Sequence, residues 1–83
     1  MQVELTSGAV KQYKQLNNPM LDRITAAIDG LEKEPLEGDI KELKGHPGVF
    51  RLRVGGYRIL YTVETDCINI FKIAPRGQAY KGK

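Results

Sequence analysis

Eighty-three residues, 41% hydrophobic and 28% charged, make one globular domain spanning residues 1–83, with apolar side chains enough for a single core. One cysteine, Cys67, excludes an internal disulfide, and with neither a long apolar run nor a leader-like segment the sequence predicts no membrane span and a reducing, cytoplasmic setting. The net charge of +3 hides an asymmetry: residues 1–40 carry four basic and seven acidic side chains, residues 41–83 nine basic and three acidic, a split that suits a basic surface for nucleic acid or an acidic protein.

Gln2-Val-Glu-Leu-Thr6 alternates polar and apolar residues and predicts a short first strand. Ser7 is the expected cap of a helix running to about Leu16, with Ala9, Val10, Tyr13 and Leu16 on one face. Asn18 and Pro19 signal a second helix, whose buried stripe is Leu21, Ile24, Ala27, Ile28 and Leu31 and whose end falls near Glu34, before Pro35. Helices so closely joined predict a hairpin packed on one face of a sheet. Residues 35–47, with Pro35, Gly38, Gly45 and Pro47, read as a loop with one turn around Ile40 to Leu43, and His46 within it reads as incidental. Strands are then predicted over 49–54, 57–64 and 67–74, with turns at Gly55-Gly56 and near Thr65-Asp66.

The first two of these strands carry the strongest signal. Alternation points Phe50, Leu52 and Val54 into the core and Arg51 and Arg53 away from it. With Gly55-Gly56 as the central turn residues, Val54 pairs with Tyr57, Arg53 lies opposite Arg58, and Arg51 is their diagonal neighbour. Like charges so placed oppose hairpin formation. The arrangement therefore points to an anion gripped by all three guanidinium groups, a phosphate above all. Lys72 joins Ile59 and Tyr61 if the next loop has two residues and Arg58 if it has three; the second keeps its ammonium out of the core and is preferred. Tyr57 and Tyr61 belong to the core side, and Cys67 in its apolar strand reads as a small buried hydrophobe.

Beyond the last strand, Arg76 and Tyr80 add a guanidinium and a phenol to Arg51, Arg53 and Arg58. Such a set can cleave RNA without a metal. Guanidinium groups neutralise the charge developing on the phosphate while a positioned base takes the proton of the attacking 2′-hydroxyl, leaving a 2′,3′-cyclic phosphate and a 5′-hydroxyl. Adjacent positive charges lower a phenol's ordinary pKa of about 10, so Tyr80 is a candidate base, as well as a stacking or orienting group or simply a packing residue. The sequence has no Cys or His pair at zinc spacing, no glycine-rich phosphate loop opening a helix and no Ser-His-Asp set, so no metal or nucleotide cofactor is expected.

Taken in order, the short strand, the helix hairpin, Leu43-Lys44-Gly45, Phe50-Arg-Leu-Arg-Val-Gly-Gly-Tyr57-Arg-Ile-Leu-Tyr61, the apolar strand and finally Arg76 and Tyr80 resemble the RelE/ParE superfamily of bacterial type II toxins. The resemblance covers essentially the whole chain and is most specific from Leu43 to Tyr61. It implies an α+β domain of order β-α-α-β-β-β, in which an N-terminal strand and helix hairpin precede a three-stranded meander and the helices pack on a mainly antiparallel sheet. It also implies a cognate acidic antitoxin and a toxin-antitoxin hetero-oligomer. RelE-like members cleave messenger RNA in the ribosomal decoding site without metal, whereas ParE-like members inhibit DNA gyrase and lack the ribonuclease residues.

By position, Arg51 and Arg53 match the family's basic pair, Arg58 its transition-state arginine, Arg76 the arginine after the last strand that stabilises phosphate or protonates the leaving oxygen, and Tyr80 the C-terminal tyrosine. Lys44, Lys72 and Lys81 extend the implied RNA and ribosome contacts. This set favours an mRNA endoribonuclease over the alternatives, a gyrase inhibitor or an inactive antitoxin-binding module of the same fold. Two features depart from the family pattern. Arg51 and Arg53 stand where the best-studied ribosome-dependent members carry lysine, and guanidinium hardly deprotonates, which leaves the general base open. The usual Gly-His-Arg-Arg-Glu-Val-Tyr ending is here Ala74-Pro-Arg-Gly-Gln-Ala-Tyr80 with three residues after it, so no C-terminal helix covering the site is expected.

Overall fold

The structure, a computed structural model, describes residues 2–33 and 38–79. Along the chain these form β1 (Gln2–Leu5), α1 (Ser7–Lys14), α2 (Met20–Leu31), β2 (Asp39–Glu42), β3 (Val49–Val54), β4 (Tyr57–Glu64), β5 (Cys67–Pro75) and the single turn α3 (Arg76–Ala79). The strands make one sheet of order β1-β5-β4-β3-β2, antiparallel throughout except that β1 runs parallel to β5. The α+β class and the helix hairpin agree with expectation. Among the described residues, no helix is long and apolar enough to cross a membrane.

At the start of α1 and of α2 a side-chain oxygen meets an orphan backbone N–H. For α1 that residue is Thr6, not Ser7: its Oγ1 accepts from the Ala9 N–H at 3.2 Å, and Ser7 is already helical. For α2, Asn18 Oδ1 accepts from the Asp22 N–H at 3.2 Å and the helix begins at Met20. The helix ends at Leu31, and the expected stop at Glu34 and Pro35 lies outside the described residues. Tyr13 and Thr25 hydroxyls, 2.6 Å apart, tie the two helices together. Their apolar stripes, centred on Ala9, Ile24 and Leu31, close the core against Leu52, Ile59 and Tyr61 of the sheet.

Two expectations about the sheet are corrected. The segment expected to form a turn around Ile40 to Leu43 contains β2, which pairs with β3 from Asp39 opposite Arg53 to Glu42 opposite Phe50. The meander therefore has four strands rather than three. Ile40 is the only apolar residue of β2, so the strand owes its existence to pairing rather than to a run of strand formers.

Lys72 reaches its face by a different route from the one expected. The Thr65-Asp66 turn has two residues, since Glu64 pairs with Cys67, and without interruption it would have placed Lys72 opposite Ile59. A bulge intervenes: Tyr61 pairs with Ile70 but Leu60 with Lys72, so Phe71 is the extra residue. Lys72 thus lies on the face of Arg58, as preferred, through a bulge and not through a longer loop.

Tyr61 is 1% exposed and stacks on Phe50 with ring centroids 5.6 Å apart. Among the described residues its hydroxyl has no hydrogen-bond partner, and burial raises its pKa above the ordinary 10.0. An unpaired buried hydroxyl costs about 1–3 kcal/mol, so Tyr61→Phe is expected to raise the unfolding free energy by about 1 kcal/mol at neutral pH. Because the folded phenol holds its proton more tightly than the unfolded one, its contribution is complete below about pH 10 and is lost as pH rises beyond that. Urea titrations on either side of that pH should show a smaller alkaline loss for Tyr61→Phe; a less stable variant at neutral pH would mean that the hydroxyl is paired.

Candidate functional site

The β3–β4 hairpin builds the site. Gly55 has φ +58 and Gly56 is not in the left-handed region, the pattern of a type II′ turn. A Cβ at Gly55 would stand 2.9 Å from Arg23 Nη1, so a guanidinium from α2 packs directly on the turn. From there the register follows as expected: Val54 pairs with Tyr57, Arg53 with Arg58, Leu52 with Ile59 and Arg51 with Leu60. Side chains of directly paired residues share a face. Arg51, Arg53 and Arg58 are therefore together on the face away from α1 and α2, with Leu60, Lys72 and Ala74 beside them.

Within that group the three arginines differ. Arg58 is 8% exposed, and its Nη1 donates to the carbonyls of Gly55 at 3.2 Å and Tyr57 at 3.0 Å. Among the described residues no carboxylate pairs with it. Buried Leu60 and Ala74 form the apolar floor next to it. Arg58 is thus a positive charge whose place is fixed by neutral acceptors.

Arg51 and Arg53 instead share Asp39, which sequence reasoning missed. Arg53 Nη2 lies 2.7 Å from Asp39 Oδ2 and Arg51 Nη1 lies 3.4 Å from Asp39 Oδ1. Contrary to expectation, the like charges do not require an external anion, because the protein supplies a carboxylate of its own. Once β2 is recognised as a strand, the signal is plain, since its first residue falls opposite Arg53.

Arg76 opens α3, where its backbone N–H donates to the Gly56 carbonyl at 2.8 Å and fastens the end of β5 to the hairpin turn. Lys44 is exposed in the connection between β2 and β3, at the opposite end of β3 from that turn, and is not part of the arginine group. Tyr80 and Lys81 lie outside the described residues. Cys67 is only half-buried, which corrects its reading as a buried hydrophobe: as the first residue of β5 it pairs with Glu64 and is not part of the core, and partial burial followed by the nearby Glu4 carboxylate raises its pKa.

With this geometry in view, the chain matches the family model described as "ParE toxin of type II toxin-antitoxin system, parDE" over residues 3–80. It is similar to the putative toxin RelE1 of Methanocaldococcus jannaschii, 37% identical over 84 residues that cover 95% of this chain and 93% of that protein. Its fold resembles a chain of the archaeal RelE-RelB complex from Pyrococcus horikoshii, with a TM-score of 0.76, 32% identity and coverage of 94% of this chain and 97% of that one. A chain of the toxin-antitoxin complex RelBE2 from Mycobacterium tuberculosis gives a TM-score of 0.76 at 28% identity, covering 90% of this chain and 96% of that one. These relatives come from archaea as well as a bacterium, which widens the expected bacterial setting.

The difference between the arginines is measurable in stability. Arg53 is about half exposed, and an exposed ion pair contributes about 0–1 kcal/mol. Arg53→Ala is therefore expected to leave the urea midpoint almost unchanged. Arg58→Ala removes charged donors from two carbonyls and should cost about 1–3 kcal/mol. Equal effects of the two substitutions would contradict this division.

Proposed function

The chain belongs to the ParE toxin family of type II toxin-antitoxin systems, within the RelE/ParE superfamily, and we propose that it is a metal-independent endoribonuclease of the RelE kind, cutting messenger RNA on the ribosome. The observation that carries this reading is the sharing of one sheet face by Arg51, Arg53 and Arg58, with Arg76 fastened beside the same turn.

In the proposed reaction the 2′-oxygen attacks the adjacent phosphorus in line, the bond to the 5′-oxygen breaks, and a cyclic phosphate forms. Arg58 is suited to meet the growing charge on the non-bridging oxygens, because donors held in place before the reaction need not reorganise during it. Arg76 neutralises the charge on the phosphate, and the leaving 5′-oxygen takes up a proton from water. The proton of the 2′-hydroxyl must go elsewhere than to Arg51 or Arg53, since guanidinium hardly deprotonates; Tyr80 is the sequence candidate. Lys72 extends the same face toward the RNA backbone, Lys44 would contact RNA away from the arginine group, and Lys81 is a sequence candidate for a further contact.

The solved relatives named above are toxins in complex with RelB-type antitoxins. We assign this chain an acidic antitoxin of that kind as its partner in a cytoplasmic hetero-oligomer, drawn to the basic second half of the chain. A second reading has support from the matched family model, which is that of ParE. In it the basic face serves antitoxin binding only, and the target is DNA gyrase or the toxin is inactive.

Primer extension on a defined messenger in reconstituted translation separates the readings. Wild type should give codon-phased cuts that need ribosomes, and Arg58→Lys and Arg76→Ala should each cut about 10²-fold more slowly while remaining folded, the usual cost of losing one charge-stabilising donor. Full cutting by both variants, or no cutting by well-folded wild type together with inhibition of DNA supercoiling, would reject the ribonuclease reading.

A further inference from the structure

Asp39 stands between two arginines of the hairpin face. Its register opposite Arg53 puts it on the arginine face, at the edge strand of the sheet. One carboxylate oxygen lies 2.7 Å from Arg53 Nη2 and the other 3.4 Å from Arg51 Nη1, while the Asp39 carbonyl also accepts from Arg51 Nη1 at 3.1 Å. One anion thus divides two oxygens between two guanidinium groups, as the two non-bridging oxygens of a phosphodiester would. Arg58, directly across from Arg53, donates to backbone carbonyls instead.

The pair is also exchangeable. The Asp39 and Arg53 side chains are 44% and 55% exposed, and water at such a site makes a carboxylate-guanidinium contact weak enough for a second anion to displace. From this geometry we infer that Asp39 is a built-in competitor for RNA phosphate at Arg51 and Arg53. In the free toxin it occupies the seat between them, offsets the repulsion of three neighbouring guanidinium groups, and lowers the affinity of the face for RNA. A phosphate arriving there must displace the carboxylate and then bind with a like charge beside it. Among the described residues no carboxylate opposes Arg58 in this way. The inference rests on the reading of this face as an RNA surface.

The test uses the full chain and a fluorescent single-stranded RNA, 2′-deoxy substituted so that it cannot be cut, with anisotropy measured over a series of salt concentrations. Asp39→Asn and Asp39→Ser should each bind about threefold to tenfold more tightly at low salt, the scale of one screened charge a few ångströms away. Their salt dependence should steepen by about one phosphate contact, Asp39→Glu should stay near wild type, and the gain should shrink when Arg53→Ala is added to Asp39→Asn. Weaker binding by Arg53→Ala without tighter binding by Asp39→Asn would overturn the inference and leave the RNA reading standing. A gain in Asp39→Asn that is missing in Asp39→Ser would overturn it as well. Binding untouched by both Arg53→Ala and Arg58→Lys would defeat the RNA reading itself, and the inference with it.

Discussion

The register of β3 against β4 is the constraint on which both the core and the site depend. A slip of one residue would turn Phe50, Leu52 and Val54 to solvent and drive Arg51 and Arg53 into the core. The apolar side of the hairpin holds the register, since Leu52 and Ile59 face each other and are almost fully buried. The left-handed Gly55 starts the pairing immediately after Val54, with Arg23 packed against it. Three arginines on one face are thus a direct consequence of burying the residues between them, and their mutual repulsion is met by Asp39 and by the carbonyls of the turn.

The same face shows how a small domain divides its charges between fixed and adjustable groups. Arg58 is nearly enclosed and bonded to the turn that positions it, so its charge is oriented before any ligand arrives. Arg51 and Arg53 are held by a carboxylate at the sheet edge, and water weakens the contact to the half-exposed Arg53. The bulge at Phe71 completes the arrangement from the other side by giving Lys72 the parity of Arg58 rather than that of Ile59.

Much of this was legible in the sequence wherever a residue pattern has one physical solution. The helix stripes, the three long strands and the pairing of Arg53 with Arg58 follow from periodicity and from two glycines between alternating segments. The parts that were not legible are those that depend on a partner distant in sequence. β2 contains one apolar residue and is a strand because β3 is there to pair with it, so Asp39 could not be placed before the strand was known. The bulge carries no local mark, because Phe71 is a good strand former, and α3 is only one turn long. Thr6 and Ser7 are equivalent caps by type, and the strand before them decides between the two.

The most direct test of the central claim, that one hairpin register gathers three arginines into a single phosphate-binding face, is a titration of the arginine side-chain N–H resonances with uncleavable RNA. The account predicts that Arg51, Arg53 and Arg58 shift together, with one saturation curve, while Arg23 beneath the turn responds weakly. Shifts confined to the helical side of the sheet, or arginine resonances that saturate independently, would contradict it.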